Sequence, residues 1–82
     1  MQWATLVFTS KLARWVSTER WHPNQKSRFL DDGSFELKIP YSKDIELVMD
    51  ILRYGAEVKV LHPNELRLQV IAEIDSMKLL YS

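Results

Sequence analysis

The stretch "KSRFLDDGSFELKIPY", Lys26–Tyr41, carries the clearest hairpin signal in the chain. Its Asp-Gly pair tolerates positive φ angles and lies between two strand-like segments, "KSRFL" and "SFELKIPY". The second segment alternates in polarity and predicts a buried face formed by Phe35, Leu37, Ile39 and Tyr41. Pro40 has no backbone N–H to donate, so it indicates the end of a strand or a sheet edge. Two strands joined by a turn at Gly33 are therefore predicted.

The segment before the hairpin predicts a strand and a short helix. "WATLVFTS" is rich in β-branched and aromatic residues and alternates between two faces: Ala4, Leu6 and Phe8 on one, Trp3, Thr5 and Val7 on the other. Ser10 is then a natural helix cap, and it is followed by a stripe at helical spacing formed by Leu12, Trp15 and Val16. Pro23 predicts the end of this helix or of its trailing turn.

A second helix is predicted after the hairpin. Ser42 suits its N-cap, and Asp44 and Glu46 lie in its first turns, where the helix dipole favours anions. Its predicted core stripe consists of Ile45, Val48, Met49 and Leu52. Gly55 is expected at the C′ position that ends the helix.

The last part of the chain predicts a strand and a third helix. "AEVKVL" is the strand, with Val58 and Val60 inward, and Pro63 suits the first position of the helix. One face of that helix is predicted to carry Leu66, Val70, Ile74, Met77 and Tyr81. Leu68, Ile71 and Leu80 fall off this face, so the helix is apolar on more than one side. It is predicted either to cap the sheet or to meet another chain.

The predicted order is β-α-β-β-α-β-α within a single domain, residues 1–82. Two βαβ units joined by a hairpin predict an α+β fold, a ferredoxin-like βαββαβ sandwich with a four-stranded antiparallel sheet and an added C-terminal helix. The predicted core consists of Leu6, Phe8, Val16, Phe35, Leu37, Ile39, Val48, Leu52, Val58, Val60 and Val70.

Composition excludes several classes of protein. The 82 residues suffice for one domain with a thin core, and the absence of cysteine excludes disulfides and thiolate metal sites. A net charge of zero argues against a protein that binds nucleic acid over its whole surface. No apolar run approaches the roughly 18 residues of a membrane span, and no signal-peptide layout is present. A cytoplasmic protein without membrane contact is expected.

Catalytic and metal-binding constellations are not recognisable. The serines lie in no nucleophile motif, and the two glycines are assigned to a turn and a helix end rather than to a phosphate loop. His22 and His62 lack further ligands at metal-site spacing. We therefore expect no enzyme activity, no metal and no cofactor.

The candidate site is the basic and aromatic stretch "RWHPNQKSRF", Arg20–Phe29, with one cation from the preceding helix. From Lys11 to Arg28 five cations face one anion, whereas acidic residues outnumber basic ones after Ser42. Guanidinium and ammonium groups bind phosphates or carboxylates, and an aromatic ring supplies an apolar floor. On the residues alone two interpretations remain open: a ligand surface, or a turn with core aromatic residues and solvated charges. The candidate residues are Arg14, Arg20, Trp21, His22, Gln25, Lys26 and Arg28.

A series of short words along the chain resembles a known family. In order they are "F", "ARWV", "RWHPNQ", "DDGSFEL", "ILRYG", "VLHPNELR" and a closing "Y". Together they resemble the C-terminal extension, called WCX, of WYL-domain helix-turn-helix transcriptional regulators, over roughly Trp3–Tyr81. The positions that match the extension's own words are Arg20, Trp21, His22, Pro23, Gln25, Gly33, Pro63, Leu66 and Arg67.

The resemblance implies a ferredoxin-like fold and a non-enzymatic role in transcription regulation, with the module contributing to dimerisation and ligand response. It also implies partners: the WYL domain and the helix-turn-helix domain of the same chain, and a second copy in a homodimer. Ligands implied for the family are nucleotides or single-stranded nucleic acid, contacted chiefly by the WYL domain. The resemblance also adds an interpretation of Arg20–Phe29 as a contact with the neighbouring WYL domain, and the sequence does not separate this from a ligand surface. The present sequence is then expected to be a fragment of a longer regulator, starting at Met1. The alternative is a stand-alone module that binds a small ligand or nucleic acid.

Overall fold

The structure is a computed structural model that describes residues 2–82, so the predicted start at Met1 lies outside the described residues. The predicted order of elements is confirmed, with one extra turn of 3-10 helix at Gly55–Glu57. The helices and strands are β1 (Gln2–Phe8), α1 (Ser10–Val16), β2 (Lys26–Phe29), β3 (Phe35–Tyr41), α2 (Asp44–Leu52), β4 (Val58–His62) and α3 (Asn64–Leu80).

The four strands form one sheet in the order β2-β3-β1-β4, and every neighbouring pair is antiparallel. β1 lies in the interior of the sheet, where Leu6 is opposite Leu37 on one side and Val60 on the other. The register shifts between Thr5 and Leu6 where β1 meets β4. This arrangement confirms the predicted ferredoxin-like α+β sandwich with an added C-terminal helix.

The core lies between the sheet and the helices. Its buried side chains come from every strand except β2 and from all three helices: Ala4, Leu6, Phe8, Ala13, Val16, Phe35, Leu37, Ile39, Leu47, Val48, Ile51, Val60 and Leu66. The alternation of β1 and β3 therefore predicted the buried face correctly. Of the predicted core residues, three are only partly buried and pack at its margin: Leu52, Val58 and Val70.

The predicted core stripe of α2 was wrong at two of its four positions, since Val48 is buried and Leu52 packs at the margin of the core. Ile45 and Met49 are 76% and 61% exposed, while Leu47 and Ile51 are buried beside Val48. The helix is turned so that the face with Leu47, Val48 and Ile51 meets the core. The first turn of α2 also contacts α3, where the Gln69 amide donates to Asp44 Oδ2 at 3.0 Å.

The ends of the helices also differ from prediction by a residue. Lys43 rather than Ser42 precedes α2, and Thr9 rather than Ser10 precedes α1, and neither makes a side-chain capping bond. Pro63 precedes α3 instead of opening it and follows a cis peptide bond. Gly55 has the expected positive φ, +59°, but lies one residue beyond the C′ position.

Two predicted stripes are only partly buried. In α1, Trp15 is 65% exposed, and Ala13 lies in the core with Val16 instead. In α3, Leu66 is buried and Val70 half-buried, and every residue from Ile71 onward is exposed. α3 contacts β4 and α2. Because burial stops before Ile71, its later turns contribute little to the core.

The hairpin turn contains a carboxyl group with a lowered pKa. Gly33 has φ +87°, a conformation that side chains disfavour. Asp32 Oδ1 accepts hydrogen bonds from the Ser34 hydroxyl and, at 2.9 Å, from the Ser34 N–H. These bonds, the hydroxyl first, favour the charged form and lower the pKa of Asp32 below its ordinary value of 3.8.

We expect Ser34→Ala to raise the pKa of Asp32 towards 3.8, because it removes the largest cause of the shift. The pKa should return only part of the way, since the backbone N–H of residue 34 still donates to Asp32 and lowers its pKa. The measurement is an NMR titration of the Asp32 carboxyl carbon, with Ser27→Ala on exposed β2 as the control. A group with a lowered folded-state pKa contributes stability above its unfolded pKa and loses it as pH falls. An unchanged pKa in Ser34→Ala would contradict this assignment.

Candidate functional site

The side chain of Gln25 organises the turn between α1 and β2. Its Oε1 accepts the backbone N–H of Trp21 at 2.6 Å and that of His22 at 3.1 Å. Its Nε2 donates to the backbone carbonyl of Glu19 at 3.2 Å. His22 contributes as well, because its Nδ1 accepts the N–H of Asn24 at 3.0 Å. Gln25 and His22 are thus engaged within the turn itself.

The Trp21 ring is half-buried and belongs to an aromatic cluster with Phe8 and Tyr54. It stacks on Tyr54 with ring centroids 5.6 Å apart and meets the edge of Phe8 at 5.8 Å. The Tyr54 hydroxyl donates to Glu19 Oε1 at 2.6 Å. Burial first, and this bond second, raise the pKa of Tyr54 above its ordinary value. The cluster therefore joins the turn to the core.

A depression of about 370 Å³ opens above the exposed part of Trp21. Its charged walls are mixed, with Arg20 and Arg53 on one hand and Glu19 and Asp50 on the other. The Arg53 guanidinium also lies 5.3 Å from the centre of the Tyr54 ring. With two cations and two anions around it, this depression is not a selective site for an anion. It suits a polar surface with charges of both signs.

The remaining predicted residues lie away from the turn. Arg14 is exposed in the last turn of α1. Lys26 and Arg28 lie on β2, and Arg28 Nε is 3.1 Å from Glu36 Oε1 of the neighbouring strand, the one ion pair found among residues 2–82. The seven candidates thus divide into three places: the turn, the second strand and the first helix.

The outer face of the sheet is the face opposite the core. Sequence reasoning named two of its residues, Lys26 and Arg28, but did not identify the face as a surface. The cross-strand pairs put Arg28 beside Glu36, Lys26 beside Lys38, and Lys59 beside Val7 on this face. Trp3 lies there too, 46% exposed, with Lys26 Nζ 5.7 Å from its ring centroid. Strand alternation alone assigns Trp3 and Lys38 to this face, but only the register between strands brings them next to Lys26.

Residues 2–82 contain neither a helix that could span a membrane nor a cluster of metal-binding side chains. No helix in this range has both the length and the apolar character needed to cross a membrane. No three His, Asp or Glu side chains of this range come together as a metal-binding group.

Comparison with known proteins identifies the family. The WCX domain model matches residues 2–78, which includes all four strands and most of α3. No curated protein matches the chain. Since the match extends over nearly the whole sequence and agrees with the resemblance carried by the short words above, the chain belongs to the WCX domain family.

Proposed function

We propose that this chain is the regulatory C-terminal module of a WYL-type DNA-binding transcriptional regulator, where it contributes to dimerisation and to ligand response. The observation that carries the proposal is the WCX match over residues 2–78. The module itself is non-enzymatic in this proposal. Reading of DNA bases is left to a helix-turn-helix domain elsewhere in the regulator, because the present chain is neutral overall.

The later turns of α3 support the dimerisation part of the proposal. After the buried Leu66, large apolar side chains remain in water along the helix: Leu68, Ile71, Ile74, Met77, Leu79, Leu80 and Tyr81. Isolated exposed apolar residues are ordinary, but six on one helix, with Tyr81 directly after it, are typical of a surface that another chain covers. A second copy of the module is the partner that we propose.

We expect the module to self-associate as its concentration rises, and we expect Met77→Lys combined with Leu80→Lys to abolish this. The added charges would have to be buried without a partner at the interface. Sedimentation velocity over a concentration series measures the association. Asp75→Lys changes the charge by the same two units on the opposite side of α3 from Met77 and Leu80, so it is the control and should still associate. A strict monomer at every concentration would remove α3 as a dimerisation surface.

The turn around Trp21 is proposed as the contact with the neighbouring WYL domain. Its mixed charges favour a protein surface over a phosphate, and the Gln25 bonds hold the backbone of Trp21 and His22 in place. The alternative function, a stand-alone module that binds a small ligand or nucleic acid, draws its support from the basic outer face of the sheet. Duplex DNA binding that distinguishes sequences at physiological salt would favour this alternative.

A further inference from the structure

The outer face of the sheet concentrates positive charge in a chain that is neutral overall. Every Lys, Arg, Asp and Glu of the four strands lies on this face, and four are cations against the single anion Glu36. α2, on the other side of the sheet, carries three anions and no cation. Although the net charge is zero, the charges are separated between a basic face of the sheet and an acidic helix. A basic face attracts anionic ligands.

One pair on this face departs from what stability alone favours. Lys26 and Lys38 are directly opposite each other across β2 and β3, and like charges in such pairs are destabilising. The next pair on the same face, Arg28 and Glu36, is complementary and forms an ion pair. No anionic side chain among residues 2–82 forms an ion pair with either lysine. A bound anion would remove this repulsion.

An exposed indole lies beside the lysine pair. The Lys26 ammonium lies over the Trp3 ring, 5.7 Å from its centroid, so a base that stacks on this face of the ring has to displace the ammonium. Trp3 is also diagonal to Lys38, whose direct partner on β1 is Thr5. Lysine is a point-charge binder of phosphate, and every nucleobase has a flat surface that stacks on an aromatic ring. Phosphate binding by the lysines and base stacking on Trp3 together match the two ends of one nucleotide.

We infer that the outer face binds a nucleotide unit, with its phosphate between Lys26 and Lys38 and its base against Trp3. The inference rests on the proposed function, since it gives the ligand response a binding surface on this module, the outer face of the sheet. Arg28 is held by Glu36 and takes no direct part. Lys59, opposite Val7 beyond the central strand, lies where a second phosphate of a longer strand would pass.

The test is a binding titration on this chain, followed by intrinsic tryptophan fluorescence and by anisotropy of a labelled oligothymidylate. Unlabelled oligothymidylate, thymidine monophosphate and inorganic phosphate are the three competitors. If oligothymidylate binds more tightly than thymidine monophosphate, the ligand is a single strand of nucleic acid. If the two bind equally per nucleotide, the ligand is a free nucleotide. Either result supports the inference. Inorganic phosphate competing as well as the mononucleotide would overturn the role of Trp3.

The variants are Lys26→Gln, Lys38→Gln and Trp3→Leu, with Lys11→Gln on α1 as the charge-matched control. Each of the three substitutions on the outer face is expected to weaken oligonucleotide binding by roughly tenfold. Each of the two lysine substitutions should also reduce the slope of log K against log salt by about 0.7. Lys11→Gln should bind like the original chain. Absence of binding at low salt, or equal weakening by Lys11→Gln, would overturn the inference.

Thermal melts of the same variants provide a second measurement. Removing one of two opposed lysines should leave stability unchanged or raise it, while binding falls. A loss of binding that merely follows a loss of folding would overturn the assignment. The sedimentation test of α3 needs neither lysine, so failure of the nucleotide site is distinguishable from failure of the proposed regulatory role.

Discussion

Replacement of Leu37 by alanine is expected to lower the free energy of unfolding by about 2–5 kcal/mol. Leu37 is fully buried in β3, opposite Leu6 of the central strand. Truncation removes apolar surface from the core and leaves a cavity that the surrounding sheet and helices fill only in part. Small domains are stable by only about 5–15 kcal/mol, so this single change should unfold a substantial fraction of molecules near physiological temperature.

Urea denaturation followed by far-UV circular dichroism measures this effect. The matched control is Leu79→Ala, the same chemical change at a side chain that is 75% exposed on α3. We expect it to alter the free energy of unfolding by less than about 0.5 kcal/mol. Leu52→Ala, at the half-buried margin of the core, should lie between the two. Equal denaturation midpoints for Leu37→Ala and Leu79→Ala would show that the assignment of the buried face is wrong.

Trp21→Ala is expected to cost about 2–3 kcal/mol of unfolding free energy, less than the roughly 3–5 kcal/mol for a fully buried aromatic residue. Trp21 is half-buried, and its ring contacts both Phe8 and Tyr54. Such aromatic pairs contribute beyond the area that they bury. The same substitution at Trp15, which is 65% exposed, is the control and should change stability by less than about 0.5 kcal/mol.

The milder change Trp21→Phe separates the two proposed roles of this side chain. It keeps an aromatic ring against Phe8 and Tyr54 but reduces the surface at the depression. We expect it to retain most of the stability and to weaken docking to a separately produced WYL domain. Docking that is unaffected by Trp21→Phe and by Arg20→Ala would place the interdomain contact elsewhere. If Trp15→Ala lowered the free energy of unfolding as much as Trp21→Ala, the assigned burial of the aromatic cluster would be wrong.

The fold was predictable from the sequence because its strands have unambiguous faces. In β3, Phe35, Leu37 and Ile39 alternate with Glu36 and Lys38, so only one face of this strand can be buried. The α2 segment "DIELVMDIL" offers no such contrast, since six of its nine residues are apolar. Two overlapping stripes fit helical spacing there, and packing against the sheet and α3 decides between Met49 and Ile51.

The candidate site was predictable only in part, for a related reason. The turn was visible in the sequence because Pro23 and Gln25 act within a few residues of their own position. The location of Lys26 and Arg28 on a different surface depends on which strands are neighbours and in which register. Lys38 lies twelve residues from Lys26 along the chain, and Trp3 lies further still in the opposite direction. The predicted hairpin makes β2 and β3 neighbours, but no local sequence pattern places β1, with Trp3, on the other side of β3.

The position of β1 in the interior of the sheet has a consequence for how the chain folds during synthesis. Within this domain β1 is synthesised before the other three strands, yet its partners are β3 and β4, which lie far along the chain. Contacts of long sequence separation slow folding, because chain entropy is lost before they form. Until β4 has emerged, the apolar side chains of β1 have only one paired neighbour. Nascent chains that stop before Val58 are therefore expected to remain sensitive to protease, and protection should appear in one late step.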